Sequence, residues 1–295
     1  MIDQKFGDLF ASGAQVPQAI AEREIALTYV LKILKDAGLL DALAFKGGTC
    51  LRKCVYGKET RFSIDLDFTS VDESAADDVI LGLVMALEKP AYGLTFDIGA
   101  KDFYVAEDGF SCGAHIGYRH SWMEAKFKLD VSLRERPSLA LVNVPLKAQS
   151  YFKSLEFKTF EVLCFPFEEL LAEKIRASSQ RVRSRDLYDL AKAAAKPLNP
   201  RLIRALAVIK CWNVRKAFDP ARFLERLRAG KYDWDDLRQL VRRSEKIAPE
   251  RLISACEKRY RFLLDLSDDE KRLVADAKRH RLRSLPRALL NAAGS

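Results

Sequence analysis

From Leu94 to Cys164 the chain is dominated by short segments in which apolar and polar residues alternate, and after Pro166 that alternation stops. A repeat of two marks half-buried strands, whereas a repeat of three to four marks amphipathic helices. The strand candidates are Leu94 to Ile98, Phe103 to Ala106, Ala114 to Arg119, Ala125 to Leu133 and Leu155 to Cys164. Beyond Pro166, Phe167 to Ser178, Asp186 to Ala195 and Pro200 to Lys210 are helical candidates, followed by amphipathic segments rich in Leu and Arg. Strands with a few helices first, then helices alone, predict an α+β domain over 1–165 and a helical domain over 166–295. The 295 residues suffice for both.

The N-terminal part adds a helix over Pro17 to Ala37, closing at Gly38. Ala42 to Phe45 is a short apolar run leading into Lys46-Gly47-Gly48-Thr49, after which Cys50 to Val55 has helical character. This is strand, glycine turn, helix. Arg61 to Thr69 then sets Phe62, Ile64, Leu66 and Phe68 against Ser63, Asp65, Asp67 and Thr69, one apolar face and one acidic face. Val71 to Leu87 returns to helix.

Several function classes are disfavoured. The longest apolar runs, Val79 to Leu87 and Leu206 to Ile209, fall far short of the roughly 20 residues that span a bilayer. The first residues lack a basic segment running into an apolar one, so a cytoplasmic location is expected. Six scattered Cys in that setting predict reduced thiols; Cys50 and Cys54 share a helix face, but no further Cys/His pair completes a zinc site. Three His leave little room for His-centred hydrolysis. Charge is uneven: 19 Lys/Arg against 23 Asp/Glu over 1–165, a net of −4, and 31 against 18 over 166–295, a net of +13. A field of that sign favours RNA or DNA as partner, with a solvated helical surface as the plain alternative.

Asp65 and Asp67 must project from one side of one strand, and like charges that close favour a cation between them. Mg²⁺ suits such hard oxygens. Upstream, Gly47 and Gly48 permit close backbone approach by a phosphate and Thr49 can supply a hydroxyl, although neither a Walker A motif nor a dinucleotide fingerprint is matched. A third acid, Asp130, lies mid-strand between Leu129 and Val131. If its strand runs beside 61–69, its carboxylate joins the pair and can act on an attacking hydroxyl; otherwise it pairs with Lys126 or Lys128.

Lys46-Gly47-Gly48-Thr49-Cys50-Leu51-Arg52-Lys53, followed by Arg61-Phe62-Ser63-Ile64-Asp65-Leu66-Asp67-Phe68, resembles the paired motifs of the AbiEii/AbiGii and MenT nucleotidyltransferase toxins, of the polymerase-β-like superfamily. Leu170 to Ala177 and Arg185 to Leu190 are similar to that family's third and fourth motifs, in order. The resemblance implies a polymerase-β-like core with a mixed sheet, and a helical domain contributing Lys and Asp to the site. It implies that Gly47, Gly48 and Thr49, with Lys46, hold the triphosphate and that Asp65 and Asp67, with Asp130, bind the metal. Lys174 would contact phosphates and Asp186 or Asp189 would complete the pocket; a salt bridge between Lys174 and one of these acids is the structural alternative. Arg52, Arg61 and Ser63 border the site as candidate phosphate contacts.

The activity so implied is Mg²⁺-dependent transfer of nucleotides from an NTP, CTP among the candidates, to the 3′ acceptor end of tRNA, blocking translation, with a cognate antitoxin protein as partner. Transfer to a protein or small-molecule hydroxyl, as in aminoglycoside modification, keeps the same site. A non-catalytic RNA-binding module with a structural acidic cluster is the reading from another class.

Overall fold

The computed structural model describes residues 2–72, 75–134 and 136–294. The chain divides into two compact units: Met1–Phe165 with Gln239–Glu245, and Pro166–Arg238 with Lys246–Ser295.

In the first unit, α1 (Gln4–Ala14) starts at Asp3, whose carboxylate accepts from the Lys5 N–H at 2.8 Å. The helix foreseen from Pro17 is α2 (Gln18–Asp36), which packs against α1 and ends at Gly38 in the left-handed region. β1 (Leu43–Lys46) runs into a single turn, α3 (Gly47–Cys50), continued by a π-helical turn over Leu51–Tyr56. β2 (Leu66–Ser70) and α4 (Ala76–Leu87) follow. The helix foreseen from Val71 therefore begins at Ala76, and positions 73 and 74 lie outside the described residues. Next come β3 (Thr95–Asp97), β4 (Phe103–Val105), β5 (Ser111–His120), β6 (Met123–Ser132), β7 (Val142–Pro145) and β8 (Glu161–Cys164).

The strands form one sheet in the order β3-β5-β6-β2-β1-β8-β7, with β4 also on β5. The sheet is mixed: β2 is parallel to β6 and β1 to β8, while the other pairs are antiparallel. β5 and β6, ten residues each, form a hairpin that buries Cys112, Ala114, Ile116 and Tyr118 beside Phe127, Leu129 and Val131. The alternation read there is the core face of the sheet.

Gln239–Glu245, expected in the helical domain, belongs to the first unit, and two strand segments also differ from the sequence expectation. The strand foreseen over Arg61 to Thr69 joins the ladder only from Leu66, because its first half makes its hydrogen bonds elsewhere: the Phe62 N–H donates to the Leu240 carbonyl at 2.6 Å, and the Asp65 carbonyl accepts from the Thr49 hydroxyl. Of Leu155 to Cys164 only Glu161–Cys164 is strand. Its partner β7 escapes the periodicity because it is an edge strand with no buried side chain.

The second unit is helical: α5 (Phe167–Gln180), α6 (Ser184–Ala194), α7 (Pro200–Asn213), α8 (Pro220–Ala229), α9 (Trp234–Arg238), α10 (Pro249–Arg259), α11 (Asp268–Asp276) and α12 (Leu285–Gly294). Asn199 and Asp219 cap α7 and α8, each followed by Pro, and Ser267 with Glu270 forms a capping box on α11. α7 is buried nearly all round. The core gathers Leu171, Ile175, Leu187, Leu190, Val208 and Tyr260. Lys210 is buried there with its ammonium 2.6 Å from Glu169 and 3.4 Å from Glu173. No helix among the described residues is long and apolar enough to cross a membrane.

Candidate active site

The glycine turn is set by what it must clear. Gly47 has φ +76°, a conformation side chains rarely adopt, and a Cβ there would lie 2.7 Å from Asp67 Cγ and nearer still to Oδ2. At Gly48 a Cβ would come 2.6 Å from an Arg61 guanidinium nitrogen and 3.1 Å from Ser63 Oγ. The two glycines thus bring Asp67, Arg61 and Ser63 against bare backbone. Sequence spacing put these groups near one another; the fold makes them touch.

Register assembles the carboxylates. Lys46 faces Asp67 across the β1–β2 pair, and Asp67 faces Asp130 across the parallel β2–β6 pair. The condition placed on Asp130, that its strand lie beside Asp67, is met. Burial first, and then the charges of Asp67 and Asp65, raise its carboxyl to about 7 against the opposing charge of Lys46. Lys128 Nζ stands 2.8 Å from Asp130 Oδ2, so the foreseen Lys128 pairing coexists with the acidic neighbours. That amine is 39% exposed and its attraction is screened by water.

Thr49 and Arg52 face away from the role foreseen for them. Thr49 is fully buried and donates its hydroxyl to the Asp65 carbonyl, so it holds the segment carrying the first aspartate. Arg52, 2% exposed, donates to the carbonyls of Gly57 at 3.2 Å and Thr60 at 2.7 Å, stacks 3.8 Å over the Phe62 ring and pairs with Glu24. It is a strut beneath the turn rather than a phosphate contact. Beside it, Lys53 donates to the Glu24 carbonyl at 2.9 Å and to Thr28 Oγ1 at 2.8 Å, pinning the turn's helix to α2. A cation four or five residues past a glycine turn reads as a ligand contact in sequence; only packing on α2 turns it inward.

In the second unit, Lys174 on α5 reaches Asp186 at 3.0 Å and Asp189 at 2.8 Å, and Arg181 holds Asp186 at 2.8 Å. Burial works against ionising Asp186, but Lys174 and Arg181 outweigh it and hold its carboxyl well below the usual range. The three residues foreseen from the third and fourth motifs are therefore together, as an ion-pair cluster within this unit.

Sequence reasoning did not single out Gly113, which stands opposite Asp130 in the β5–β6 register and could not carry a Cβ without meeting the Leu129 carbonyl. An isolated Gly inside an alternating run was the available signal. It also missed Cys164, whose sulfur lies with those of Cys50 and Cys54.

The model of the family described as "Nucleotidyl transferase AbiEii toxin, Type IV TA system" matches residues 29–290. The chain belongs to the AbiEii nucleotidyltransferase toxin family. Its fold is similar to that of MenT4, the nucleotidyltransferase toxin Rv2826c from Mycobacterium tuberculosis H37Rv, at a TM-score of 0.82 and 26% identity over 98% of each chain. A second solved structure, JHP933 from Helicobacter pylori, is 16% identical and covers 95% of this chain and 100% of its own, at a TM-score of 0.48. Among curated proteins none matches. The AbiEii chain is thus a nucleotidyltransferase of a type IV toxin–antitoxin family with a MenT-like mixed-sheet fold. Family membership implies an NTP substrate and an antitoxin partner.

Proposed function

We propose that this AbiEii-family enzyme transfers nucleotides from an NTP to the 3′ hydroxyl of tRNA, using Mg²⁺, and so blocks translation. The observation that carries the reading is the register that sets Asp130 beside Asp67 while Asp67 packs on Gly47. Three neighbouring carboxyls, one of them raised to about 7 by burial and by the charges of the other two, with a side-chain-free turn alongside, fit a divalent cation and a phosphate chain better than they fit a structural cluster. Asp65 and Asp67, with Asp130, would hold the ion, which when bound neutralises charge on the phosphates.

In the transfer, the acceptor oxygen bonds to the α-phosphorus, the bond from that phosphorus to the leaving pyrophosphate breaks, and the hydroxyl proton must leave. Asp130, level with Asp67 across the β2–β6 pair, is the carboxylate placed to take that proton. Gly47 and Gly48 admit the triphosphate to the backbone, and Lys46, Arg61 and Ser63 supply cationic and hydroxyl contacts beside it. The net charge of +13 over 166–295 supports a polyanionic acceptor, and CTP is the first nucleotide to try.

Purified protein with labelled CTP or another NTP, Mg²⁺ and total tRNA is expected to give labelled RNA, lost in Asp65→Ala. Equal labelling by that variant refutes the metal assignment. Labelling of protein or an aminoglycoside in place of RNA refutes the acceptor.

A further inference from the structure

Behind the glycine turn lies a group of side chains that nucleotidyl transfer does not use. Cys50 follows Thr49, and Cys54 comes four residues later, across a segment wound as a π-helix. That winding is wider than an α-helix, so a residue and its fourth neighbour stand nearly one above the other; such turns recur at functional sites. Cys164 arrives from the end of β8, where it is paired with Phe45 of β1. All three sulfurs lie within 4.8 Å of one another, and Cys164 Sγ is 3.6 Å from Cys54 Sγ. Among the described residues this is the one set of three or more Cys, His, Asp or Glu ligand atoms gathered so closely.

We propose that Cys50, Cys54 and Cys164 form a three-sulfur site for a thiophilic, low-coordinate metal ion, with Cu(I) as the ion that fits best. Three sulfurs around one ion at a bond length of about 2.3 Å stand about 4 Å apart when the arrangement is planar. The observed spacing brackets that value, so small side-chain rotations complete the site. Structural zinc takes four ligands, and a catalytic zinc takes water as its fourth. Here the three cysteines are 0%, 3% and 1% exposed, which keeps bulk solvent away from the sulfurs. Three soft donors in a dry pocket select Cu(I) over harder or four-coordinate ions.

Cys164 Sγ donates to Cys54 Sγ, so these two sulfurs already face each other. The remaining cysteines are ordinary core residues by comparison. Cys256 donates to the Leu187 carbonyl at 3.7 Å, and Cys211 lies 3.9 Å from Ser179 Oγ.

An ion here would fasten the Gly47–Thr49 turn to β8. Phe165, next to Cys164, donates its N–H to the Phe45 carbonyl at 3.1 Å and lays its ring 5.8 Å from Lys46 Nζ. Loading is therefore expected to stiffen the first unit at the turn, independently of whether the nucleotidyl-transfer reading holds.

The test is an anaerobic titration of the full-length reduced protein with Cu(I) held by bicinchoninate, alongside metal analysis of protein expressed in copper-supplemented medium. One equivalent withdrawn per chain, a raised melting temperature, and at least a tenfold loss of affinity in both Cys54→Ser and Cys164→Ala are expected. Cys256→Ala should bind as the wild type does. Circular dichroism of each variant before titration separates loss of the site from loss of fold, and Cys50→Ala serves where either of the first two is unfolded. Wild-type protein that withdraws no more Cu(I) than the Cys50/Cys54/Cys164 triple alanine variant, by both routes, overturns the proposal. So does binding that disappears with Cys256.

Discussion

Gly47→Ala isolates the geometry on which the candidate site depends. The backbone at this position has φ +76°, and an alanine there costs about 1–2 kcal/mol from left-handed strain alone. Its Cβ would also lie 2.7 Å from Asp67 Cγ and nearer still to Oδ2, against an ordinary contact that begins at 3.4 Å, so the carboxyl must retreat by more than about 1 Å. Turning Asp67 off its rotamer adds about 0.5–1.5 kcal/mol. Gly38 is the control, because its φ is +75° and a Cβ there meets nothing within 4 Å. Both variants should lose stability in a urea melt, Gly47→Ala by the larger amount. A displacement of that size at a reacting centre costs about 10–100-fold in rate, so only Gly47→Ala should lose transfer activity. The reasoning fails if Gly47→Ala transfers nucleotide within about twofold of wild type. It fails equally if Gly38→Ala loses as much activity.

Other perturbations probe neighbouring parts. Because Asp130 titrates near 7 in the folded chain and near 3.8 when unfolded, its ionisation opposes folding as pH rises between those values. In chelator-containing buffer Asp130→Asn should therefore melt higher than wild type at pH 8, by about 1 kcal/mol after solvent screening, should match it near pH 3, and should be inactive. Asp186 behaves in the opposite sense: its depressed pKa stabilises the fold above the ordinary carboxylate range and is lost as pH falls through it, so Asp186→Asn should flatten the acid side of the stability profile followed by fluorescence. Thr49→Val leaves the Asp65 carbonyl without its donor and should cost about 1–2 kcal/mol in denaturant while lowering transfer, with Thr49→Ser close to wild type. Lys210→Met leaves Glu169 and Glu173 buried without their ammonium and should cost about 3–5 kcal/mol by the same measure.

The helix from Pro17, the strand-turn-helix at Lys46 to Cys50 and the strands β5 and β6, though not their pairing, were legible because each rests on local periodicity or on a glycine with a local task. The second motif was legible as chemistry but overlong as a strand, since Phe62 and Asp65 spend their hydrogen bonds on Leu240 and Thr49, partners that no window around them contains. Arg52 illustrates the converse. Its position beside the turn suggested a phosphate ligand, yet Glu24 on α2 and the carbonyls of Gly57 and Thr60 draw it inward.

By itself, the order of residues determined the single change of period at Pro166, the pair of aspartates on one strand face and the glycine turn that precedes them. Those are short-range properties, decided by pleat, helical pitch and the absence of a Cβ. Tertiary structure alone decided that β6 lies parallel to β2 with Asp130 level with Asp67, and that Cys164 closes on Cys50 and Cys54. Parallel register is fixed by burying one whole face of each strand against the same core, and a one-residue slip would turn every such side chain away. That choice belongs to the assembled sheet, not to any segment within it.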